Sequence, residues 1–163
     1  MKKILLIFLL MNIPFKVLAL IEVDITRGNL NPLPIAVSPL SIDENSRKSF
    51  QNIIKKKNIG EEISKVVEKN LKTSGLFNPL NKDAFLQAPD IANLKPRFED
   101  WNLIKAQALI TGKVNFVDEK LRVEFRLWDV LAGKEMMALA FTTVPNNWRR
   151  VGHIITDKVY ERL

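Results

Sequence analysis

Leu121-Arg122-Val123-Glu124-Phe125-Arg126-Leu127-Trp128 alternates apolar and polar side chains almost without a break. A period of two places Leu121, Val123, Phe125 and Leu127 on one face of a strand, and Arg122, Glu124 and Arg126 on the other. The charged face is expected to be wet or covered by a polar partner. The same period runs through Ala108 to Val117 before it and Glu135 to Val144 after it. Asp118-Glu119 supplies the first turn. Asp129 to Lys134 supplies the second, with Gly133 available for a positive φ. Three consecutive antiparallel strands are thus the most secure part of the predicted fold.

Beyond them the period becomes helical. Trp148, Val151, Ile155 and Val159 recur at i, i+3, i+7 and i+11, with Asn146 or Asn147 as the cap. A helix so strongly patterned up to Leu163 reads as a chain cut at a boundary. Upstream, Asn58 caps a second helix, with Glu61 three residues on as in a capping box. Its apolar stripe is Ile59, Ile63, Val66, Val67 and Leu71. Glu61 and Glu62 at its start and Lys69 and Lys72 at its end suit the helix dipole, and Ser74-Gly75 stops it.

The intervening segments are weaker. Leu76 to Leu80 is a brief extended piece, Lys82 to Pro96 a surface excursion, and Phe98 to Lys105 a short helix with Trp101, Leu103 and Ile104 turned inward. Ser41 to Lys57 is expected to be a loop with some helical turn. Ile35 to Leu40 is a short strand, and Pro34 and Pro39 favour an edge or an end for it. The sum is an α+β domain with a mixed sheet of about five strands. Its two main helices, Gly60 to Lys72 and Trp148 to Leu163, pack on one face. Trp101, Phe116, Phe125, Phe141 and Trp148 are expected in the core or at its margin.

The N-terminus carries a different message. Lys2 and Lys3 lead an apolar run, Ile4 to Met11, ending near Pro14, and Val17-Leu18-Ala19 follows. That is the layout of a secretory signal peptide, too short to span a bilayer. Cleavage is expected after Ala19, so that residues 1–19 leave and the remainder works outside the cytoplasm. Residues 20–31 then read as a strand and a hinge. Leu20, Glu22, Asp24 and Thr26 alternate with Ile21, Val23, Ile25 and Arg27, and Gly28-Asn29-Leu30-Asn31-Pro32 is turn or linker chemistry. A free strand with an apolar row and a glycine hinge can add to another sheet. An ordinary first strand of this domain fits the pattern equally.

Composition narrows the function. The chain has 163 residues, no cysteine and a net charge of +7. Without cysteine there is neither a disulfide framework nor a lipobox, so residues 32–163 must stand as one domain on their own core. Loss of Lys2, Lys3 and Lys16 with the signal leaves a net charge of +4. That is too mild for a nucleic-acid binder.

Chemistry-bearing motifs are missing. No phosphate loop, dinucleotide fingerprint or nucleophile elbow is present. The single histidine, His153, reads as a packing or hydrogen-bonding residue, and no ligand set for a metal is spaced for one. Asp24, Glu99, Asp100, Asp118, Glu119 and Asp129 could form a hydrolytic pair only in space, and nothing in their spacing asks for it. The expectation is a protein that is not an enzyme, with no cofactor, no metal and no small-molecule substrate. The basic tract from Arg47 to Lys72 could meet anionic headgroups or an acidic protein, but reads more simply as a solvated face.

Several blocks are similar to one family. Pro34-Ile35-Ala36-Val37-Ser38-Pro39-Leu40 resembles the early strand of the TolB family. Leu71-Lys72-Thr73-Ser74-Gly75-Leu76-Phe77-Asn78-Pro79-Leu80 resembles its helix-to-strand passage. Trp101 with Ala108-Leu109-Ile110-Thr111-Gly112-Lys113-Val114 fits the next block. Trp148-Arg149-Arg150-Val151-Gly152-His153, with Asp157-Lys158-Val159-Tyr160-Glu161-Arg162-Leu163, fits the closing helix.

The resemblance covers Leu33 to Leu163 in order, and implies the N-terminal α/β domain of a periplasmic protein whose six-bladed propeller would begin after 163. Pal, which the family binds mainly through that propeller, is then not an expected partner. The family's extreme N-terminus engages the C-terminal domain of TolA. The resemblance assigns that contact to Leu20, Ile21, Glu22, Val23, Asp24, Ile25, Thr26 and Arg27, with Gly28 as the hinge. It implies an adaptor of the Tol-Pal system supporting outer-membrane integrity and constriction at division, expected to be a monomer. The alternative is a scaffold or activator of cell-wall synthesis that uses the globular surface.

Overall fold

The computed structural model describes residues 31–55 and 58–163. Strands β4 (Ala108–Val117), β5 (Lys120–Asp129) and β6 (Lys134–Thr143) form the expected antiparallel meander. Asp118 and Glu119 both adopt left-handed φ, 48° and 58°. Such a two-residue turn matches the right-handed twist of the strands it joins. Gly133, at φ 63°, turns β5 into β6.

Strand β1 (Leu33–Val37) runs parallel to β4 on one side and to β3 (Phe77–Pro79) on the other, and β2 (Ser41–Ile42) pairs with β4 farther along. The six-stranded sheet has the order β3-β1-β4-β5-β6, with β2 beside β4. Of the edge or end suggested by the prolines, the edge is corrected, because β1 is internal, and the prolines stand at its two ends. Pro34 is tolerated one residue inside the strand, where its carbonyl still accepts from the Gln107 N–H at 2.9 Å. Pro39 falls after the strand.

Ser41 to Lys57 is also corrected. It contains an eleven-residue helix, α1 (Glu44–Ile54), capped by Asp43. The Asp43 carboxylate accepts from the Ser46 backbone N–H at 2.9 Å and from the Ser46 hydroxyl at 2.6 Å. That hydroxyl in turn accepts from the Phe116 N–H of β4 at 2.9 Å, so the cap also ties the helix to the sheet. Phe50, fully buried, packs edge-on against Phe116 with ring centroids 5.3 Å apart.

The Ser46 hydroxyl, and then its N–H, hold the Asp43 carboxyl below its usual range. A depressed carboxylate stabilises the fold above its unfolded value and loses that contribution as pH falls through the folded one. Asp43→Ala should cost about 1 kcal/mol at neutral pH. Denaturant titrations at a series of pH values should show the gap constant above pH about 4 and closing below it.

Helices α2 (Ile59–Thr73) and, later, α5 (Trp148–Arg162) cover one face as expected. Asn58 caps α2, accepting from the Glu61 N–H at 3.2 Å. Ile59, Ile63, Val67 and Leu71 meet Ile155, Val159 and the strand row Leu121, Val123, Phe125 and Leu127. The crossing of the two helices is close: a Cβ on Gly152 would lie 2.8 Å from Val66 Cγ1. At the start of α5 no asparagine side chain caps; a 3-10 turn, Pro145–Asn147, leads in instead.

The other face is not bare, which corrects Lys82 to Pro96 from a mere excursion. Helices α3 (Pro89–Leu94) and α4 (Phe98–Leu103) bury a second cluster of Ala36, Ala92, Trp101, Ala106, Leu109 and Val130. Trp101 is buried as expected but on this face, donating its Nε1–H to Gln87 Oε1 at 2.7 Å. Leu103, expected inward, is 73% exposed. Phe116 and Phe141 sit at the core margin, partly buried.

Candidate functional site

The functional segment expected from the sequence lies outside the described residues. This applies to the signal at 1–19, to Leu20, Ile21, Glu22, Val23, Asp24, Ile25, Thr26 and Arg27, and to Gly28. What the structure describes is the base from which that segment extends. Asn31 and Pro32 are exposed, and Leu33 opens β1 between two neighbours. The Leu33 N–H donates to the Leu76 carbonyl at 2.9 Å, and Leu33 stands in register with Phe77. Phe77 packs edge-on against Tyr160 of α5, centroids 5.3 Å apart. The segment's root is thus held by an internal strand, by β3 and by the end of the last helix.

The same end of the sheet carries apolar side chains turned to solvent. Leu76 precedes β3, Leu131 lies in the β5–β6 turn, and Leu163 follows α5; all three are exposed. The turn is tied to the β4 entry by the Val130 N–H, which donates to the Gln107 carbonyl at 3.0 Å.

Elsewhere the polar groups serve structure. His153 Nδ1 is 2.9 Å from the Asn70 side-chain amide, which also donates to Thr156 Oγ1 at 3.3 Å, so the histidine helps lock α2 to α5. Among the described residues no three His, Asp or Glu side chains gather as metal ligands. Asp100 is held by Arg97 at 2.6 Å, and Asp118 and Glu119 are the hairpin turn.

The charged face of β5 is laced: Glu124 lies 3.0 Å from Arg122 and 3.4 Å from Lys113, and Arg126 lies 3.3 Å from Glu135. Burial pushes the Glu124 carboxyl up, but Arg122 and Lys113 outweigh it and hold the group below its usual range. Arg126 also donates to Asn93 Oδ1 of α3 at 3.2 Å, so this face is wet in part and covered in part.

The basic tract is dispersed. Lys65 pairs with Glu61 at 2.9 Å and with Glu62, which raises its pKa, and Lys56 and Lys57 lie outside the described residues. Sequence reasoning missed the Ser64 hydroxyl of α2, which receives the Leu40 N–H at 3.0 Å and lies 3.1 Å from the Ser38 carbonyl. This joins α2 to the β1–β2 link, and a serine within an apolar stripe was its only signal.

No helix among the described residues is long and apolar enough to cross a membrane. Residues 21–136 match the family model of the TolB amino-terminal domain. The chain is 79% identical over 158 residues to the Tol-Pal system protein TolB of Pelagibacter ubique (strain HTCC1062), covering 97% of this chain and 35% of that relative. The chain therefore spans about a third of the length of the curated relative it matches. The fold is similar to that of TolB from Acinetobacter baumannii, with a TM-score of 0.60 at 19% identity over 80% of this chain and 28% of that one. It is also similar to lipoprotein GNA1162 from Neisseria meningitidis, with a TM-score of 0.50 at 18% identity over 80% and 96% of the two chains. The chain belongs to the TolB family and carries the family's amino-terminal domain.

Proposed function

We propose that the chain is the amino-terminal domain of a non-catalytic periplasmic adaptor of the Tol-Pal system. Residues Leu20 to Arg27 bind the C-terminal domain of TolA as an added strand. Ile21, Val23 and Ile25 form the apolar row, their backbone amides form the ladder, and Glu22 and Asp24 face the partner's basic edge. Gly28 gives the segment its swing. The reading places the protein in outer-membrane integrity and constriction at division.

The observation that supports it most is the rooting of the segment. Leu33 is paired with Phe77 of β3, and β1 meets β4 from Ile35 onward, while Asn31 and Pro32 just before it are exposed. A strand preceding such a root can leave the domain without unravelling it. No observation favours the cell-wall scaffold: within the basic tract, Arg47 and Lys65 are engaged by glutamates of their own helices.

Titrating the TolA C-terminal domain into the chain beginning at Leu20, beside one beginning at Gly28, tests the reading by calorimetry. Binding is expected for the first and a loss of at least about a hundredfold for the second, as befits removal of the whole strand. Equal binding by both, or by neither, overturns the assignment.

A further inference from the structure

β1 and β4 lie side by side and parallel, but the chain leaves them in opposite directions, from β1 toward β3 and from β4 toward β5. In open sheets with parallel strands, ligands settle outside the carboxyl ends of the strands at such a switch point. Here that place is filled only in part, by the two residues of β2. Among the described residues β2 has β4 as its one strand neighbour. Its other edge therefore presents backbone N–H and C=O groups with no strand to pair them.

Two adjoining cavities follow that edge, of about 280 and 240 Å³, and Ser41, Ile42 and Asp90 line both. Arg47 belongs to the first and Lys113 to the second, so the charges along the groove run plus, minus, plus. None of the three is fully engaged inside the domain. Arg47 Nε is buried without a hydrogen bond, and the Glu44 carboxylate of its own helix stops 3.8 Å away, too far for one. Among the described residues nothing pairs with Asp90, at the start of α3. Lys113 shares Glu124 with Arg122, which lies closer, at 3.0 Å against 3.4 Å, and can hold that carboxylate alone. The remaining acid of the groove, Asp43, is committed to Ser46.

An extended peptide answers both features, its backbone the open edge of β2 and its side chains the charges. We infer that the groove receives an extended segment of a partner protein in which acid, base and acid alternate, to meet Arg47, Asp90 and Lys113 in turn. Alternate residues of a strand stand roughly 7 Å apart, so Glu-x-Lys-x-Glu spans roughly 13 Å, the reach of two cavities of this size end to end. The groove opens at the carboxyl end of β1, whereas the segment proposed for TolA leaves from its amino end. The two contacts are therefore independent, and the failure of either leaves the other standing.

Titrating the isotope-labelled chain with acetyl-Glu-Ser-Lys-Ser-Glu-amide, followed by NMR, tests this. The backbone amide signals of Ser41, Ile42, Asp90 and Lys113 are expected to move, with a Kd of about 1 mM or tighter. The charge-inverted acetyl-Lys-Ser-Glu-Ser-Lys-amide should bind at least about tenfold more weakly. Asp90→Lys, at an exposed position, should reverse the preference at the middle of the groove. The first peptide is then lost and acetyl-Glu-Ser-Glu-Ser-Glu-amide is gained, which a misfolded variant could not do. No movement at these residues, equal binding of the inverted peptide, or an unchanged preference in Asp90→Lys would overturn the inference. So would tighter binding of the all-glutamate peptide by the unaltered chain, which would mark a general anion-binding face.

Discussion

Phe125→Ala is expected to cost about 3–5 kcal/mol and to lower the melting temperature by roughly 10–15 °C. Phe125 is fully buried at the middle of the central meander, under α2 and α5, and stacks on Phe141 with centroids 6.1 Å apart. Truncation removes its transfer free energy and leaves a cavity that paired strands cannot collapse to fill. Leu131→Ala, in the exposed β5–β6 turn, is the control: the side chain is 67% exposed and its loss should change stability by about 0.5 kcal/mol or less. Thermal unfolding followed by circular dichroism separates the two. Similar melting temperatures for both variants would deny Phe125 its place in the core.

Gly60→Ala should be nearly as damaging, although alanine is the better helix former by about 1 kcal/mol. Gly60 lies in the first turn of α2, and a Cβ there would fall 2.1 Å from the Leu40 carbonyl oxygen. That oxygen cannot retreat cheaply, because the Leu40 N–H is held by the Ser64 hydroxyl of the same helix. Overpacking against backbone of this kind costs about 3 kcal/mol, more than the propensity gained. Gly75→Ala makes the comparison sharp. Gly75 has open space around it but a φ of 75°, so its replacement should cost only about 1 kcal/mol, through backbone strain alone. Chemical denaturation of both variants gives the order; Gly75→Ala proving the worse would show that the helix can shift away from Leu40.

The core row of β5 and the start of α2 were legible in the sequence for different reasons. Phe125 declared itself because β5 keeps a period of two with charges at Arg122, Glu124 and Arg126, and burial follows directly from that alternation. Asn58 and Glu61 marked a helix start by chemistry alone. By contrast, α1 was hidden because only one side of it meets the core, through Phe50, and its polar remainder reads as a loop. The Asp43–Ser46 cap was the available signal. Pro34 misled because proline weighs against an internal strand, whereas β1 needs only its carbonyl at that position. Trp101 was correctly buried, but its face could not be read from its own neighbours. The covering helix α3 is short, and Ile91 and Leu94 on it remain exposed. For the candidate site, alternation from Leu20 to Arg27 raises the possibility of strand addition, and the partner enters only through family resemblance.

The central position of β1 sets an order on how this domain comes into being. Chains emerge N-terminus first, at about 5–20 residues per second. β1 is among the earliest parts to appear, yet both of its neighbours, β3 and β4, are encoded far downstream. The β4–β5–β6 meander can close by local contacts as soon as it exists, whereas the parallel pairings of β1 must wait for distant sequence. Until then Ile35, Ala36 and Val37, all buried in the finished sheet, travel unprotected. A nascent chain stalled before Ala108 would therefore expose this short apolar stretch, a natural handle for a chaperone or a protease.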